Sequence, residues 1–310
     1  MSQSLAFVFP GQGSQQIGML AELAASHSVI EKTFAEASEV LGYDLWDLVQ
    51  NGPVEDLNST DKTQPALLTA GVALWRVWQE QGGAKPALLS GHSLGEYTAL
   101  VCGGAISFAD GVNLVKLRGE FMQQAVPAGT GAMAAILGLG DAEIEQACRE
   151  AEQGEVVSPV NYNCPGQIVI AGQKAAVERA IVQCKEAGAK RAIPLPVSVP
   201  SHCALMKPAA EKMAVALADI EVKMPEVPVL QNVTAAVPAD VDELKNNLLA
   251  QLYSPVLWTS SVLSMVEQGI EQTVECGPGK VLSGLNKKIH KPLNVAAIND
   301  PAGLEKAMGQ

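Results

Sequence analysis

Hydrophobic residues in the first part of the chain recur mostly at three- and four-residue intervals, which is the spacing of amphipathic helices. Two short apolar runs, residues 6–9 and 86–91, break this spacing and are typical of buried strands. Each run ends in a glycine-containing turn that leads back into helical spacing. The predicted helices lie near residues 28–42, 44–50, 63–81 and 108–125. Together these patterns predict an α/β fold in which helices cover a parallel sheet.

From residue 131 the pattern changes to short strands and helices in regular alternation. The predicted strands are residues 132–139, 156–161, 167–171 and 191–199, and the predicted helices are residues 142–151 and 174–187. Their order, βαββαβ, is that of ferredoxin-like units. Because proline and glycine flank this segment, we expect residues 128–199 to form an inserted subdomain and residues 1–127 with 200–310 to form one larger α/β domain. The C-terminal part has predicted helices near residues 203–218, 241–252 and 258–268 and predicted strands near residues 228–232, 272–276 and 293–298.

The chain is acidic, which excludes a general role in binding nucleic acid. It has 33 acidic and 21 basic residues, so its formal net charge is −12, whereas binding a phosphate backbone needs clustered Lys and Arg. No apolar run has the length of a membrane span, and no basic stretch precedes an apolar core at the N-terminus. We therefore expect a cytoplasmic protein with no membrane partner. The six cysteines form no C-x-x-C pair, so we expect neither a metal site nor a disulfide framework.

Residues 91–95 read Gly-His-Ser-Leu-Gly, which matches G-x-S-x-G between a predicted strand and a predicted helix. In this context the motif forms a strained turn that exposes the central serine, and glycine is needed where no larger side chain fits. Backbone N–H groups at the start of the helix would lie near a developing oxyanion. Ser93 is therefore the candidate nucleophile, and the alternative is a serine that only caps the helix.

A serine nucleophile needs a base, and the chain has four histidines. His27 and His290 lie in polar segments and are expected to be solvated. His92 directly precedes Ser93, so the two side chains should point in different directions, and we expect His92 to line the site. His202 lies in a proline-containing loop between a strand and a helix and is the remaining candidate base. Its alternative role is to cap that helix.

Arg118 lies on the helix that follows the Ser93 helix. A buried arginine here could bind a carboxylate through two hydrogen bonds and would select an acyl group with a free carboxylate. From the residue pattern alone we favour the alternative, a solvated Arg118 paired with Glu120 or Asp110, because most arginines are exposed.

Several motifs, in order along nearly the whole chain, resemble those of the malonyl-coenzyme A (malonyl-CoA):acyl carrier protein transacylases. They are Phe9-Pro10-Gly11-Gln12-Gly13-Ser14-Gln15, Thr63-Gln64-Pro65-Ala66-Leu67, Gly91-His92-Ser93-Leu94-Gly95-Glu96, Arg118, Asn161-Tyr162-Asn163 with Pro165-Gly166-Gln167, Pro200-Ser201-His202, and Glu275-Cys276-Gly277-Pro278-Gly279. The joint match is far more specific than G-x-S-x-G alone. The resemblance implies a hydrolase-like α/β core with a ferredoxin-like insert and an active site in the cleft between them.

The resemblance also implies the catalytic roles. Ser93 would carry the acyl group, and His202 would be the general base. The main-chain carbonyl of Gln251, instead of an aspartate, would orient the imidazole. A carbonyl that accepts from Nδ1–H still fixes the tautomer that leaves Nε2 free for the serine proton.

The implied substrate contacts come from five further residues. Arg118 would bind the malonyl carboxylate, and the main-chain N–H groups of Gln12 and Leu94 would form the oxyanion hole. Asn163 and His92 would also contact the substrate.

By resemblance, the reaction is a ping-pong transfer of malonyl from malonyl-CoA to the phosphopantetheine thiol of acyl carrier protein, for fatty-acid elongation. No cofactor is expected, since coenzyme A is a substrate and phosphopantetheine belongs to the partner, and nothing demands more than a monomer. A serine esterase or thioesterase with water as acceptor is the alternative. A carrier-binding scaffold with a vestigial site would be expected to lack Ser93, His202 or Arg118, and all three are present.

Acyl carrier proteins are acidic, so an acidic transferase needs a local basic patch to bind one. The densest clusters of basic residues predict where this patch lies. They comprise Lys287, Lys288 and Lys291 with His290, and also Lys190 and Arg191. The alternative is that these residues are only a solvated helix end.

Overall fold

The computed structural model describes residues 4–197 and 199–309. The strands are β1 (Leu5–Phe9), β2 (Leu88–Gly91), β3 (Gly131–Leu137), β4 (Val157–Cys164), β5 (Gln167–Gln173), β6 (Arg191–Pro194), β7 (Val229–Leu230), β8 (Gln272–Glu275) and β9 (Asn294–Ala297). The helices are α1 (Ala21–Ala24), α2 (Val29–Leu41), α3 (Leu45–Asn51), α4 (Val54–Leu57), α5 (Thr60–Glu80), α6 (Leu94–Cys102), α7 (Phe108–Gln124), α8 (Asp141–Ala151), α9 (Lys174–Glu186), α10 (Lys207–Ala218), α11 (Val241–Gln251), α12 (Trp258–Glu267), α13 (Val281–Ile289) and α14 (Pro301–Met308). A 3-10 helix, Ala204–Met206, precedes α10. Among the described residues, no helix combines the length and apolar character that crossing a membrane would require.

A five-stranded parallel sheet, in the order β7-β2-β1-β8-β9, forms the centre of the larger unit. Side chains of β1 alternate between two cores, because Phe7 and Phe9 lie in one cluster while Ala6 and Val8 lie in the other. Phe7 packs edge-on against Trp75 of α5, with ring centroids 5.3 Å apart. Since both faces of the sheet are buried, its first strand is a continuous apolar run, as the sequence predicted.

The remaining four strands form an antiparallel sheet in the order β4-β5-β3-β6. Helices α8 and α9 share a hydrophobic core with it that includes Ile136, Ile144, Ile170 and Val177. The βαββαβ order is that of a ferredoxin-like unit. All six elements lie within residues 128–199, whose limits as an inserted subdomain stay a prediction.

The other side of this antiparallel sheet packs against the larger unit. Met133, Val160 and Cys203 share one apolar cluster there. The main chains also join, since the N–H of Tyr162 donates to the carbonyl of Val256 (3.0 Å) and the N–H of Val256 donates to the carbonyl of Val160 (2.8 Å). The end of β4 is thereby fixed against the larger unit.

Some predicted boundaries are wrong. The last strand of the antiparallel sheet ends at Pro194 instead of residue 199, and residue 198 of that predicted range lies outside the described residues. The N–H of Leu195 still donates to the carbonyl of Met133 (2.9 Å), and residues 195–197 then line the cleft instead of continuing the strand. β4 continues to Cys164 instead of ending at Asn161, because its polar residues pair with β5. The strand predicted near residues 228–232 is reduced to the two residues of β7 at the sheet edge. Helices α1, α4, α13 and α14 were not predicted.

Candidate active site

The turn between β2 and α6 holds Ser93 at φ 53° and ψ −109°. A positive φ is strained for a residue with a side chain, and such strain persists only where the surroundings enforce it. A Cβ on Gly91 would overlap the carbonyl of Gly95, and a Cβ on Gly95 would overlap the carbonyl oxygen of Phe9. Both motif positions therefore require glycine, and the tight turn places Ser93 in the wall of a cleft.

Ser93 forms a hydrogen-bonded pair with His202. Its Oγ lies 2.8 Å from Nε2 of the imidazole, whose Nδ1 lies 2.6 Å from the main-chain carbonyl oxygen of Gln251. Because a carbonyl can only accept, Nδ1 carries the proton and Nε2 offers a lone pair to the serine hydroxyl. The main-chain N–H of His202 donates to the carbonyl of Leu252 (3.0 Å), which fixes the loop at the end of α11. The structure thus brings together the three residues that the sequence suggested.

The imidazole of His202 is uncharged at neutral pH, so its Nε2 is free to accept a proton. It is 3% exposed, and burial lowers its pKa to about 3, with the Arg118 charge as the second cause. The hydrogen bond to Gln251 acts in the opposite direction. The ring is therefore neutral around pH 7 and can accept the serine proton.

Arg118 extends from α7 into the same site and is only 1% exposed. Its Nη1 donates to Oε1 of Gln64 (2.8 Å), and its Nη2 donates to Oε1 of Gln251 (2.9 Å) and to Oγ of Ser93 (3.2 Å). The guanidinium also lies 5.3 Å from the ring centroid of Tyr97. A cation thus stands within hydrogen-bond distance of the candidate nucleophile.

The prediction of a solvated Arg118 paired with Glu120 or Asp110 is wrong, because this face of α7 packs against α5 in the core. Within the described residues, no carboxylate lies within ion-pair distance of the guanidinium. A buried cation that meets only neutral acceptors is costly. The site is therefore suited to receive an anionic group.

Gln12 and Leu94 line the cleft beside Ser93. Leu94 is the first residue of α6, where the main-chain N–H has no acceptor within the helix. The loop that carries Gln12 lies against the same turn, since a Cβ on Gly11 would come within 2.6 Å of the carbonyl oxygen of His92. This proximity is what an oxyanion hole requires, and the role of the two N–H groups stays a prediction.

The cleft has a volume of about 360 Å³ and lies between the two sheets. The larger unit contributes residues 58–60 and His202, and the antiparallel unit contributes Met133, Asn161 and the segment 195–197. The location agrees with the cleft implied by the resemblance.

His92 lines the cleft as expected, but Asn163 does not. Asn163 is buried behind His92, and its Oδ1 lies 2.8 Å from Nε2 of the His92 ring. An amide oxygen accepts, so this contact places the His92 proton on Nε2. Asn161, two residues earlier on β4, lines the cleft instead. Residues two apart on a regular strand share a face, but the pairing of β4 with β5 is irregular between Tyr162 and Cys164, and this irregularity explains the difference in position.

Comparison with known proteins identifies the family. Residues 6–299 match the family model described as acyl transferase domain. A malonyl CoA-acyl carrier protein transacylase of Salmonella typhimurium is 63% identical over 305 residues, which cover 98% of this chain and 99% of that protein. The chain belongs to the malonyl-CoA:acyl carrier protein transacylase family.

Solved structures of transacylases share the whole fold. The crystal structure of an acyl carrier protein S-malonyltransferase from Vibrio cholerae has a TM-score of 0.96 at 63% identity and covers 98% of this chain and 99% of its own. The structure of a type II PKS acyl-carrier protein in complex with its malonyl-transacylase has a TM-score of 0.97 at 59% identity, and the match covers 98% of this chain and 99% of that chain.

Three polar residues that sequence reasoning left without a role also belong to the transacylase site. Gln64 holds Arg118, and Oδ1 of Asn232 accepts from the main-chain N–H of Ser93 at 2.7 Å. Glu96 is fully buried beneath them. Gln64 and Glu96 lie within the transacylase motifs, so the motifs could have found them, whereas no sequence signal marks Asn232.

The predicted basic patch for the carrier protein lies partly on α13. Lys287 and Lys288 are exposed in its last turn, although Nζ of Lys287 donates to the carbonyl of Leu293 (3.0 Å). Burial raises the pKa of the Cys164 thiol at the end of β4, and the nearby charge of Lys288 opposes this only in part. Lys190 is exposed just before β6. A docking role for these lysines stays a prediction.

Proposed function

We propose that this chain transfers the malonyl group of malonyl-CoA to the phosphopantetheine thiol of an acyl carrier protein through a malonyl ester of Ser93. The observation that carries the proposal is the buried guanidinium of Arg118, whose Nη2 lies 3.2 Å from Oγ of Ser93. A malonyl group attached at Oγ has its free carboxylate only two carbon atoms from the acyl carbon. The guanidinium is therefore placed to bind that carboxylate through charge-assisted hydrogen bonds.

In the first half-reaction, Oγ of Ser93 attacks the thioester carbonyl while Nε2 of His202 takes its proton. The tetrahedral oxyanion receives hydrogen bonds from the main-chain N–H groups of Gln12 and Leu94. When the carbon–sulfur bond breaks, the proton on Nε2 passes to the sulfur, and coenzyme A leaves as a thiol. Gln251 holds Nδ1–H throughout, so the ring keeps its orientation.

The second half-reaction reverses these steps with a different thiol. The phosphopantetheine thiol of the carrier protein gives its proton to His202 and attacks the ester carbonyl. The ester bond breaks, and Ser93 recovers its proton from the imidazole. The malonyl ester must outlast the exchange of thiols, so the cleft has to keep water from it. Apolar side chains of Met122, Met133 and Leu195 in the cleft wall support this requirement.

The half-reactions can be tested separately by loading the protein with isotope-labelled malonyl-CoA and removing coenzyme A. Addition of holo acyl carrier protein should move the label to the carrier at a rate far above its release as free malonate. Release of free malonate at the same rate with and without carrier protein would instead indicate the esterase or thioesterase alternative.

Several finer expectations stay predictions. They are a monomeric state, a cytoplasmic location, a carrier protein that serves fatty-acid elongation, and a reaction that needs neither a metal nor a resident cofactor. The proposed steps use only side chains and main-chain groups of this chain, with coenzyme A and phosphopantetheine as reactants.

A further inference from the structure

Glu96 is a fully buried carboxylate one turn after Ser93, and the reaction steps do not use it. Its Oε2 accepts from the main-chain N–H of Asn232 (2.8 Å) and from Nε2 of Gln251 (3.0 Å). Its Oε1 accepts from Nε2 of Gln231 (3.1 Å). All three partners are N–H donors, so the site is built for an acceptor at both oxygen atoms.

Two of these partners hold the nucleophile from both sides. The side chain of Asn232 accepts from the main-chain N–H of Ser93 (2.7 Å), and Nε2 of Gln251 donates to the main-chain carbonyl of Ser93 (3.0 Å). Glu96 thus contacts both residues that hold the strained peptide of the nucleophile in place.

Gln251 also connects Glu96 to the cation of the site. Its Nε2 faces Glu96, and its Oε1 accepts from Nη2 of Arg118 (2.9 Å). The reverse amide orientation would turn an NH₂ group toward the guanidinium, so that two donors would face each other. An acceptor at Glu96 therefore favours the orientation of Gln251 that holds Arg118 beside Ser93.

We propose that Glu96 is a positioning residue, which orients Gln251 and Asn232 so that Arg118 and Ser93 meet the malonyl group correctly, and that it thereby supports the preference for malonyl over acetyl groups. This inference rests on the proposed malonyl transfer. A positioning role and a purely electrostatic role of Glu96 predict opposite results. Removing a nearby negative charge would by itself strengthen the binding of a carboxylate to Arg118, whereas losing the positioning contacts would weaken it.

The test is Glu96→Gln, which keeps the size of the side chain but places a donor among donors. Wild type and variant are mixed briefly with malonyl-CoA and a known excess of acetyl-CoA, and intact mass gives the ratio of malonyl to acetyl adducts. This ratio does not depend on the folded fraction, so a loss of stability alone leaves it unchanged. We expect the ratio of malonyl to acetyl adducts to be at least tenfold lower in Glu96→Gln than in wild type.

Glu275→Gln is the matched control. Glu275 is equally buried and accepts from the main-chain N–H groups of Leu282 (3.0 Å) and Ser283 (2.7 Å) at the start of α13. Its substitution also removes a buried carboxylate but leaves Gln251 and Arg118 untouched, so the adduct ratio should stay at the wild-type value.

Gln251→Leu provides a second test that does not depend on the folding of the Glu96 variant. It removes the amide between Glu96 and Arg118, so we expect a similar fall in the ratio, with no further fall when Glu96→Gln is added. An unchanged or higher ratio in Glu96→Gln, or an unchanged ratio in Gln251→Leu, overturns the inference. If wild type forms a malonyl adduct and the variants keep the wild-type ratio, only this inference is refuted. If wild type forms no malonyl adduct, the proposed function and the inference are refuted together.

Discussion

Arg118→Met is the substitution whose effect follows most directly from the structure. Methionine fills much of the same volume and can pack against Tyr97, but it removes the charge over that ring and the donors that face Gln64, Gln251 and Ser93. In wild type, the malonyl carboxylate gives up its hydration to pair with a guanidinium that is 1% exposed. In the variant the same carboxylate enters a buried site without a partner.

The cost can be estimated from other buried ion pairs. Removing one partner of a buried pair costs about 3–5 kcal/mol. Since about 1.4 kcal/mol corresponds to a tenfold change in rate, kcat/KM for malonyl-CoA should fall by about 10²–10⁴. An acetyl group carries no charge and has no need of the guanidinium, so kcat/KM for acetyl-CoA should stay the same or rise.

Transfer from each thioester to carrier protein, followed by mass spectrometry of the carrier, measures both values. Arg76→Met is the control, because Arg76 lies on α5 and forms a two-point ion pair with Glu36 away from the cleft. It should leave the selectivity unchanged. The reasoning is refuted if Arg118→Met keeps the wild-type preference for malonyl over acetyl groups.

Three further predictions concern other parts of the molecule. As the pH falls from 7 to 5, His202 becomes protonated in the unfolded chain, where its pKa is near the ordinary value of 6.5, but not in the folded protein, where its pKa is about 3. Because only the unfolded state gains this proton, the free energy of unfolding of wild type should fall by about 2 kcal/mol relative to that of His202→Gln. Urea titrations at both pH values measure this, and a constant difference between the two proteins would contradict it. Reversing the charges of Lys287 and Lys288 should raise KM for carrier protein severalfold without changing KM for malonyl-CoA, and equal effects on both would exclude a docking role. Gly95→Ala should prevent native folding, because the added Cβ overlaps a carbonyl of β1, and circular dichroism measures this. Gly284→Ala on α13 is the control, because its added Cβ meets open space and the protein should fold normally. A folded Gly95→Ala protein would disprove the steric argument.

The architecture could be predicted because its signals are local. The continuous apolar run of β1, the G-x-S-x-G turn and the βαββαβ alternation each specify their element within a short segment. The strand ending at Pro194 was predicted too long because β-branched residues beyond the proline resemble a strand, and only the pairing pattern shows where the sheet stops.

The site could be predicted only in part, because its geometry depends on contacts between distant segments. Periodicity on α7 cannot show that α5 covers Arg118, so the residue pattern alone favoured a solvated side chain. Asn232 lies 139 residues from Ser93 in sequence, and no motif surrounds it. The resemblance supplied the pairing of His202 with the Gln251 carbonyl, but the second role of Gln251, through its side chain, required the structure.

The central claim is that Ser93 carries a malonyl group between two thiols, and intact mass tests it most directly. Wild type and Ser93→Ala are mixed briefly with malonyl-CoA, and carrier protein is then added. We predict that wild type alone gains one malonyl group and that holo carrier protein removes it and gains the same mass. A malonyl adduct on Ser93→Ala, or free malonate in place of a malonylated carrier, would contradict the account.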